Sequence, residues 1–217
     1  IYLRKINGML YGDAPDQGLI RGRIFSHPKL KFRFEVPEGF SLFNTPKAVF
    51  AKGPNDATII FDSAKRSADG PITYYLQNIW GRKANLRNVE RLNVNGLDAA
   101  TGIIRQRGQT IRAIAIRKDL HTIYRFMFKT KSQDTNRLSK PFRRTTYSFR
   151  LLTKREIRAL KPLRIRIVRT RRGDTVASVA RRMAGKDGFS EERFRVLNGL
   201  HDSAQLRPGQ RVKIVTD

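Results

Sequence analysis

The sequence contains no cysteine, so neither a disulfide framework nor a thiolate metal site can form, and oxidising and reducing compartments stay equally open. Acidic residues are scarce: 18 Asp and Glu stand against 45 Lys and Arg, for a formal charge of +27. The only histidines, His27, His121 and His201, lie in different segments, so the paired histidines of an H-E-x-x-H zinc helix are missing. No G-x-S-x-G elbow and no complete G-x-x-x-x-G-K-[ST] phosphate loop occurs either. No apolar run approaches the roughly 20 residues that a bilayer-spanning helix needs, which points to a soluble chain. Ile1 is not an initiator methionine, and the opening IYLRKINGML has no signal-peptide core and cleavage site. The start is therefore expected to be a processed or excised boundary, with any targeting sequence upstream.

Core-forming residues are plentiful: 39% are hydrophobic, including 13 Phe, which argues against global disorder. The length suits one ordinary domain followed by a small one. A field of +27 attracts polyanions, whether nucleic acid, anionic lipid headgroups or anionic wall polymers. Because the basic residues are spread along the whole chain, they serve equally well to keep an Arg-rich surface hydrated. The densest stretch, Lys161 to Arg172, alternates basic with apolar residues, as one face of a strand does.

Residues 1–26 read as a short helix, from the spacing of Tyr2, Leu3, Ile6, Met9 and Leu10, and then a linker broken by Gly12, Pro15 and Gly18. Leu30 to Val36 alternates apolar with charged residues as a half-buried strand would, and Pro37 ends it. Two strands, Ala48–Lys52 and Ala57–Asp62, flank a turn at Gly53-Pro54-Asn55-Asp56. A helix is predicted over Pro71–Trp80, then four strands: Val89–Val94, Leu97–Arg105, Thr110–Arg117 and His121–Lys129. Tight turns at Asn95-Gly96, Gly108 and Asp119-Leu120 make those strands antiparallel. A further helix is predicted over Phe142–Leu152, and Thr153-x-x-Glu156 is a capping box that opens another, through Leu160. The fold class is thus α+β. An antiparallel sheet domain with covering helices (27–160) follows the opening segment (1–26) and precedes a small βααβ module (161–217).

In that module Ile165–Val168 reads as a strand. Arg172-Gly173-Asp174-Thr175 forms a turn with a capping side chain, and Val176, Val179, Ala180 and Met183 have helical spacing. A second helix starts at Ser190-Glu191-Glu192 and ends at the left-handed cap Asn198-Gly199, and Arg211–Val215 closes the module as a strand. Gly173-Asp174-Thr175, Val179-Ala180, Leu197-Asn198-Gly199-Leu200, Leu206-x-Pro208-Gly209-Gln210 and Val212-x-Ile214 resemble a LysM module. The resemblance implies a shallow groove between the first turn and the loop after the second helix, holding N-acetylglucosamine units of peptidoglycan or chitin. Carried over by position, Gly173, Asp174, Thr175, Asn198, Gly199 and Leu200 would edge it. The same residues are also the caps and turns that the fold needs without any ligand. The Ala184–Phe189 link is longer than is usual in the family, and the groove edges are basic.

The larger domain is similar to PsbP-like domains in its element order, in Phe34-x-Val36-Pro37-x-Gly39-Phe40 and in Ser148-Phe149-Arg150. That implies a fold and no function. The chain as a whole resembles the C-terminal region of bacterial CAAX-protease-like zinc metallopeptidases (metallopeptidase family forty-eight). The residues carrying this are Tyr2-Leu3-x-x-Ile6-x-Gly8-Met9-x-Tyr11-Gly12, Gly18 and Phe25-x-His27-Pro28-x-Leu30, together with the motifs above. The resemblance implies a parent whose zinc protease domain lies upstream, with zinc as a cofactor there and none in this segment. It further implies a periplasmic or envelope location, envelope proteins as substrates, and partners in the protease domain and peptidoglycan. Two other functions fit the same sequence. One is polyanion binding, although the aromatics Phe32 and Phe34 share a face with Leu30 and Val36, as a core does, and not with the basic Lys31 and Arg33. The other is a purely structural scaffold.

Overall fold

The structure is a computed structural model, and it describes residues 2–12, 14–65, 70–184 and 189–217. A seven-stranded antiparallel sheet forms the frame. Its strands are β4 (Ser41–Asn44), β5 (Val49–Lys52), β6 (Thr58–Lys65), β7 (Arg87–Val94), β8 (Leu97–Gln106), β9 (Gln109–Asp119) and β10 (Thr122–Lys131), in the order β4-β5-β6-β10-β9-β8-β7. The local chemistry explains the turns. Asn95 and Gly96 take φ of 49° and 88°, and Arg107 and Gly108 take 48° and 73°, the doubly left-handed form that matches strand twist in a two-residue hairpin. Asn55 and Asp56 do likewise between β5 and β6.

A second sheet of four short strands, in the order β1-β2-β3-β11, lies over one face of the first: β1 (Leu19–Arg21), β2 (Ile24–His27), β3 (Phe32–Glu35) and β11 (Arg150–Leu151). Between the sheets is an aromatic core. The Phe61 ring lies 4.6 Å from Phe126, 4.8 Å from Phe34 and 5.1 Å from Phe32, centroid to centroid, and Phe25, Tyr124 and Phe149 complete the cluster. Helix α3 (Thr135–Ser148) extends that layer, with Phe142 against Phe128 at 4.9 Å. Strand alternation sends Ile114 and Ile116 into this core and Ala113 and Ala115 to the opposite face. There a short helix, α2 (Ile72–Tyr74), continues as a π-helical turn through Trp80 and lays Ile72, Tyr75 and Leu76 on small residues. Gly102 lets this contact close, since a Cβ there would stand 2.6 Å from Leu86 Cδ2 and the Leu86 side chain would have to shift.

Several sequence expectations are corrected. Residues 19–26, expected within a linker, form β1 and all but the last residue of β2, a hairpin around Gly22 too short for period-two alternation to register. Leu30 does not share the buried face of Phe32, Phe34 and Val36: Lys31 adopts φ 61°, the alternation begins only after it, and Leu30 is exposed. Ser41–Asn44, without a predicted element, pairs with β5. The helix predicted over Phe142–Leu152 begins seven residues earlier, at Thr135, and carries Pro141 inside it, the residue that masked its first turns. It ends at Ser148, and Arg150–Leu151 pairs with Arg33 and Phe32 instead. The predicted box at Thr153 does open α4 (Lys154–Ala159): the Thr153 side chain accepts from Glu156 N–H, and the Glu156 carboxylate accepts from Thr153 N–H. The Arg150 guanidinium on Glu156 holds that carboxyl well below the usual range.

The C-terminal module contains β12 (Arg164–Arg169), α5 (Val176–Ala180), α6 (Ser190–Asn198) and β13 (Arg211–Thr216), with β12 and β13 antiparallel. Its core holds Val176, Val179, Ala180, Met183, Phe194, Val212, Ile214 and Val215. The opening of the chain reaches it. After α1 (Tyr2–Ile6), residues 7–11 run antiparallel along the free edge of β12. Gly8 N–H donates to Ile165 O (2.7 Å), Ile165 N–H to Met9 O (2.9 Å) and Tyr11 N–H to Leu163 O (2.8 Å). Ile167 N–H donates to Asn7 Oδ1 (3.0 Å), and the Tyr11 ring packs on the module's core.

Candidate functional site

The site is built by two loops that the fold forces together. Thr170 follows β12. Its N–H donates to Gln210 O (3.0 Å), its carbonyl accepts from Gly209 N–H (2.9 Å), and its buried hydroxyl donates to Arg207 O. The loop after β12 is thereby tied to the Pro208-Gly209 turn, which the Gln210 side chain closes by accepting from Arg207 N–H (2.9 Å). Next, Gly173 turns with φ 85°, and the Asp174 carboxylate accepts from Arg171 N–H (2.7 Å). Thr175 caps α5, accepting from Ser178 N–H at 3.1 Å. On the other side, Arg195 of α6 donates to Glu191 Oε1 (2.9 Å) and to the His201 carbonyl (2.8 Å), fixing the 200–206 loop.

The result is an open groove. Asp174, Thr175, Val176 and Ala177 form one wall, and Glu191, Arg195, Ala204, Gln205 and Leu206 form the other. It offers carboxylates, an amide, a guanidinium and small apolar surfaces, with no nucleophile–base pair. Such a lining can meet hydroxyl- and acetamido-bearing ligands with hydrogen bonds.

Of the six residues carried over from sequence, Asp174 and Thr175 line this groove, and Gly173 shapes the turn next to them. Gly199 is the left-handed cap of α6, with φ 64°. Leu200 packs against the module's core. Asn198 is tied to the frame: its Nδ2 donates to Phe194 O and Lys213 O (both 2.9 Å), and its Oδ1 accepts from Lys213 N–H (2.7 Å). Sequence reading passed over Ala177, Glu191, Arg195 and Gln205. Glu191 at a helix start reads as a dipole partner, and Ala177 and Gln205 carry no pattern. Part of the long Ala184–Phe189 link lies outside the described residues. Asn198→Ala removes two hydrogen bonds between α6 and β13 and one within α6, so it is expected to cost the module about 2–3 kcal/mol, read as an earlier melting of its amide signals. Asn198→Asp is expected to retain part of that stability, because the acceptor for Lys213 N–H remains.

Residues 168–215 match the LysM domain family. The C-terminal module is a LysM domain. A LysM domain is a peptidoglycan- and glycan-binding module. No curated protein matches the sequence. Among solved structures, cyanobacterial PsbP from Synechocystis sp. PCC 6803 is similar at 15% identity, covering 64% of this chain and 98% of that one, with a TM-score of 0.47. LpqN of Mycobacterium tuberculosis, described as involved in cell envelope biogenesis, is similar at 14% identity, covering 70% and 95%, with a TM-score of 0.42. The chain is a mixed α+β protein, a large antiparallel-sheet domain followed by the LysM domain.

The three histidines of the chain are dispersed. His27 is buried at the end of β2, accepts from Leu30 N–H through Nδ1 (3.2 Å), and has its pKa lowered by that burial. His121 sits in the exposed β9–β10 turn, and His201 Nδ1 meets Ser203 Oγ at 3.2 Å. Among the described residues no three His, Asp or Glu side chains gather as a metal-ligand group. No described helix is long and apolar enough to cross a membrane.

Proposed function

We propose that this chain is the non-catalytic, wall-holding region of a cell-envelope protein, and that its LysM groove takes N-acetylglucosamine units of peptidoglycan glycan. The observation that carries the reading is the groove between Asp174–Ala177 and Ala204–Leu206, open in a domain whose family binds such glycans. In this reading Gly173, Asp174 and Thr175 edge the ligand directly, and Asn198, Gly199 and Leu200 hold the opposite rim in place. The location is periplasmic or envelope-associated, where a peptidoglycan-binding domain meets its ligand.

The finer reading is that the parent is a zinc metallopeptidase. It rests on the resemblance carried by Tyr2 to Gly12, Gly18 and Phe25 to Leu30. The sheet domain then docks the protease domain or its envelope-protein substrates. In this reading the zinc belongs to that other domain. A second reading is favoured by the charge of +27: polyanion binding, to nucleic acid or an anionic membrane surface, without sequence preference.

Sedimentation with purified peptidoglycan at physiological salt separates these. The whole chain is expected to pellet and to be released by soluble chitooligosaccharide. Release by salt alone, with no effect of the sugar, assigns the binding to charge. For the finer reading, the whole-length parent should cleave an envelope protein in a chelator-sensitive manner, while this chain alone does not.

A further inference from the structure

A cleft separate from the LysM groove lies between α3 and the β7–β9 end of the large sheet. Arg112 of β9 and Arg143 of α3 both line it, with Thr101, Ser139, Tyr147 and, on the rim, Glu90. The two cations are held in place by different means. Arg112 donates one N–H to the buried Thr101 hydroxyl (3.3 Å), which itself donates to Ala113 O (3.2 Å). Arg143 lies over the Tyr147 ring, 5.7 Å from its centroid, one helical turn away. Neither guanidinium is ion-paired to a carboxylate among the described residues, so two like charges share one concave site with Glu90 as the one acidic residue of its lining.

We propose that this cleft binds a monoanionic carboxylate, of the kind that ends a short peptide, gripped between Arg112 and Arg143. A planar guanidinium presents parallel N–H donors that match a carboxylate's two oxygens, which favours this head group over a neutral sugar. Two arginines less Glu90 leave the lining one net positive charge, which fits a monoanion and disfavours a polyphosphate. The Ser139 hydroxyl supplies a further donor at the cleft wall, and Ile114 gives an apolar floor for the chain behind the head group. The inference does not rest on the LysM reading, since it concerns another domain and another chemistry.

The test titrates the isotope-labelled whole chain with N-acetyl-alanyl-alanine, with the same dipeptide as its C-terminal amide, and with pyrophosphate, all at constant ionic strength. Saturable shifts at the Thr101 and Ser139 amides are expected with the free carboxylate and not with the amide. Arg112→Gln and Arg143→Gln are each expected to weaken binding roughly tenfold or more, the loss of a charge-assisted hydrogen-bond pair. Arg112→Lys keeps the charge but loses the fork, and is expected to fall between the two. Arg158→Gln, on the exposed side of α4, should leave the affinity unchanged. Amide spectra without ligand confirm that each variant is folded. Equal binding of the amide, unaltered affinity in both glutamine variants, or the same local shifts with pyrophosphate would overturn the proposal.

Discussion

Phe61→Ala is expected to destabilise the sheet domain by about 3–5 kcal/mol, the range for emptying a buried aromatic site. Phe61 stands on β6 of the large sheet and meets both Phe32 and Phe34 of the small one, as well as Phe126 beside it. Alanine there therefore opens a void at the seam between two sheets. The rings around it lose edge and face contacts on several sides, and short strands such as β3 and β11 have little backbone pairing of their own to compensate. Calorimetry is expected to show the large-domain transition moved down by roughly 10 °C, with the LysM transition nearly unchanged. A loss below about 1 kcal/mol would mean that the sheets slide together to close the cavity and that the seam is not close-packed.

Removing residues 2–11 is expected to weaken the LysM domain by about 2–4 kcal/mol, an edge row of hydrogen bonds together with the packing of one aromatic ring. The argument comes from alternation in an antiparallel strand. In β12, Ile165 and Ile167 turn their N–H groups to the opening segment, and the residues between them face β13. Without the segment, hydrogen exchange at the Ile165 and Ile167 amides is expected to rise about a hundredfold or more, against a much smaller change at Arg166 and Val168. The bared edge would also be free to pair with another chain. Uniform loss of protection across β12 and β13 would show instead that the domain unfolds as a whole without this segment. No change at Ile165 would show that the segment is not held there in solution.

Much of the architecture was legible in the sequence because its local signals agree with its packing. Asn95-Gly96 fixes a two-residue hairpin, Thr153-x-x-Glu156 forms its box, and Asn198-Gly199 ends a helix with a left-handed residue. What was hidden was non-local. The β1–β2 hairpin is too short to show a period, Pro141 disguises the middle of α3 as its beginning, and Leu30 falls just outside a strand because Lys31 reverses the backbone. The pairing of residues 7–11 with β12 joins positions more than 150 apart, and no local pattern encodes it. The groove shows the same division. Asp174 and Thr175 were readable because their capping chemistry is local, whereas Ala177 and Gln205 become groove walls only once Thr170 has tied the two loops together.

The central claim is that the groove itself takes glycan, and a residue-resolved titration of the whole chain with chitotetraose tests it most directly. The expected result is saturable amide shifts confined to Asp174, Thr175, Ala177 and Gln205. They should persist at raised salt and disappear in Ala177→Gln, which fills the groove without removing a cap, a charge or a core side chain. Shifts spread over the arginine-rich surface and erased by salt, with Ala177→Gln behaving like the parent chain, would contradict the account.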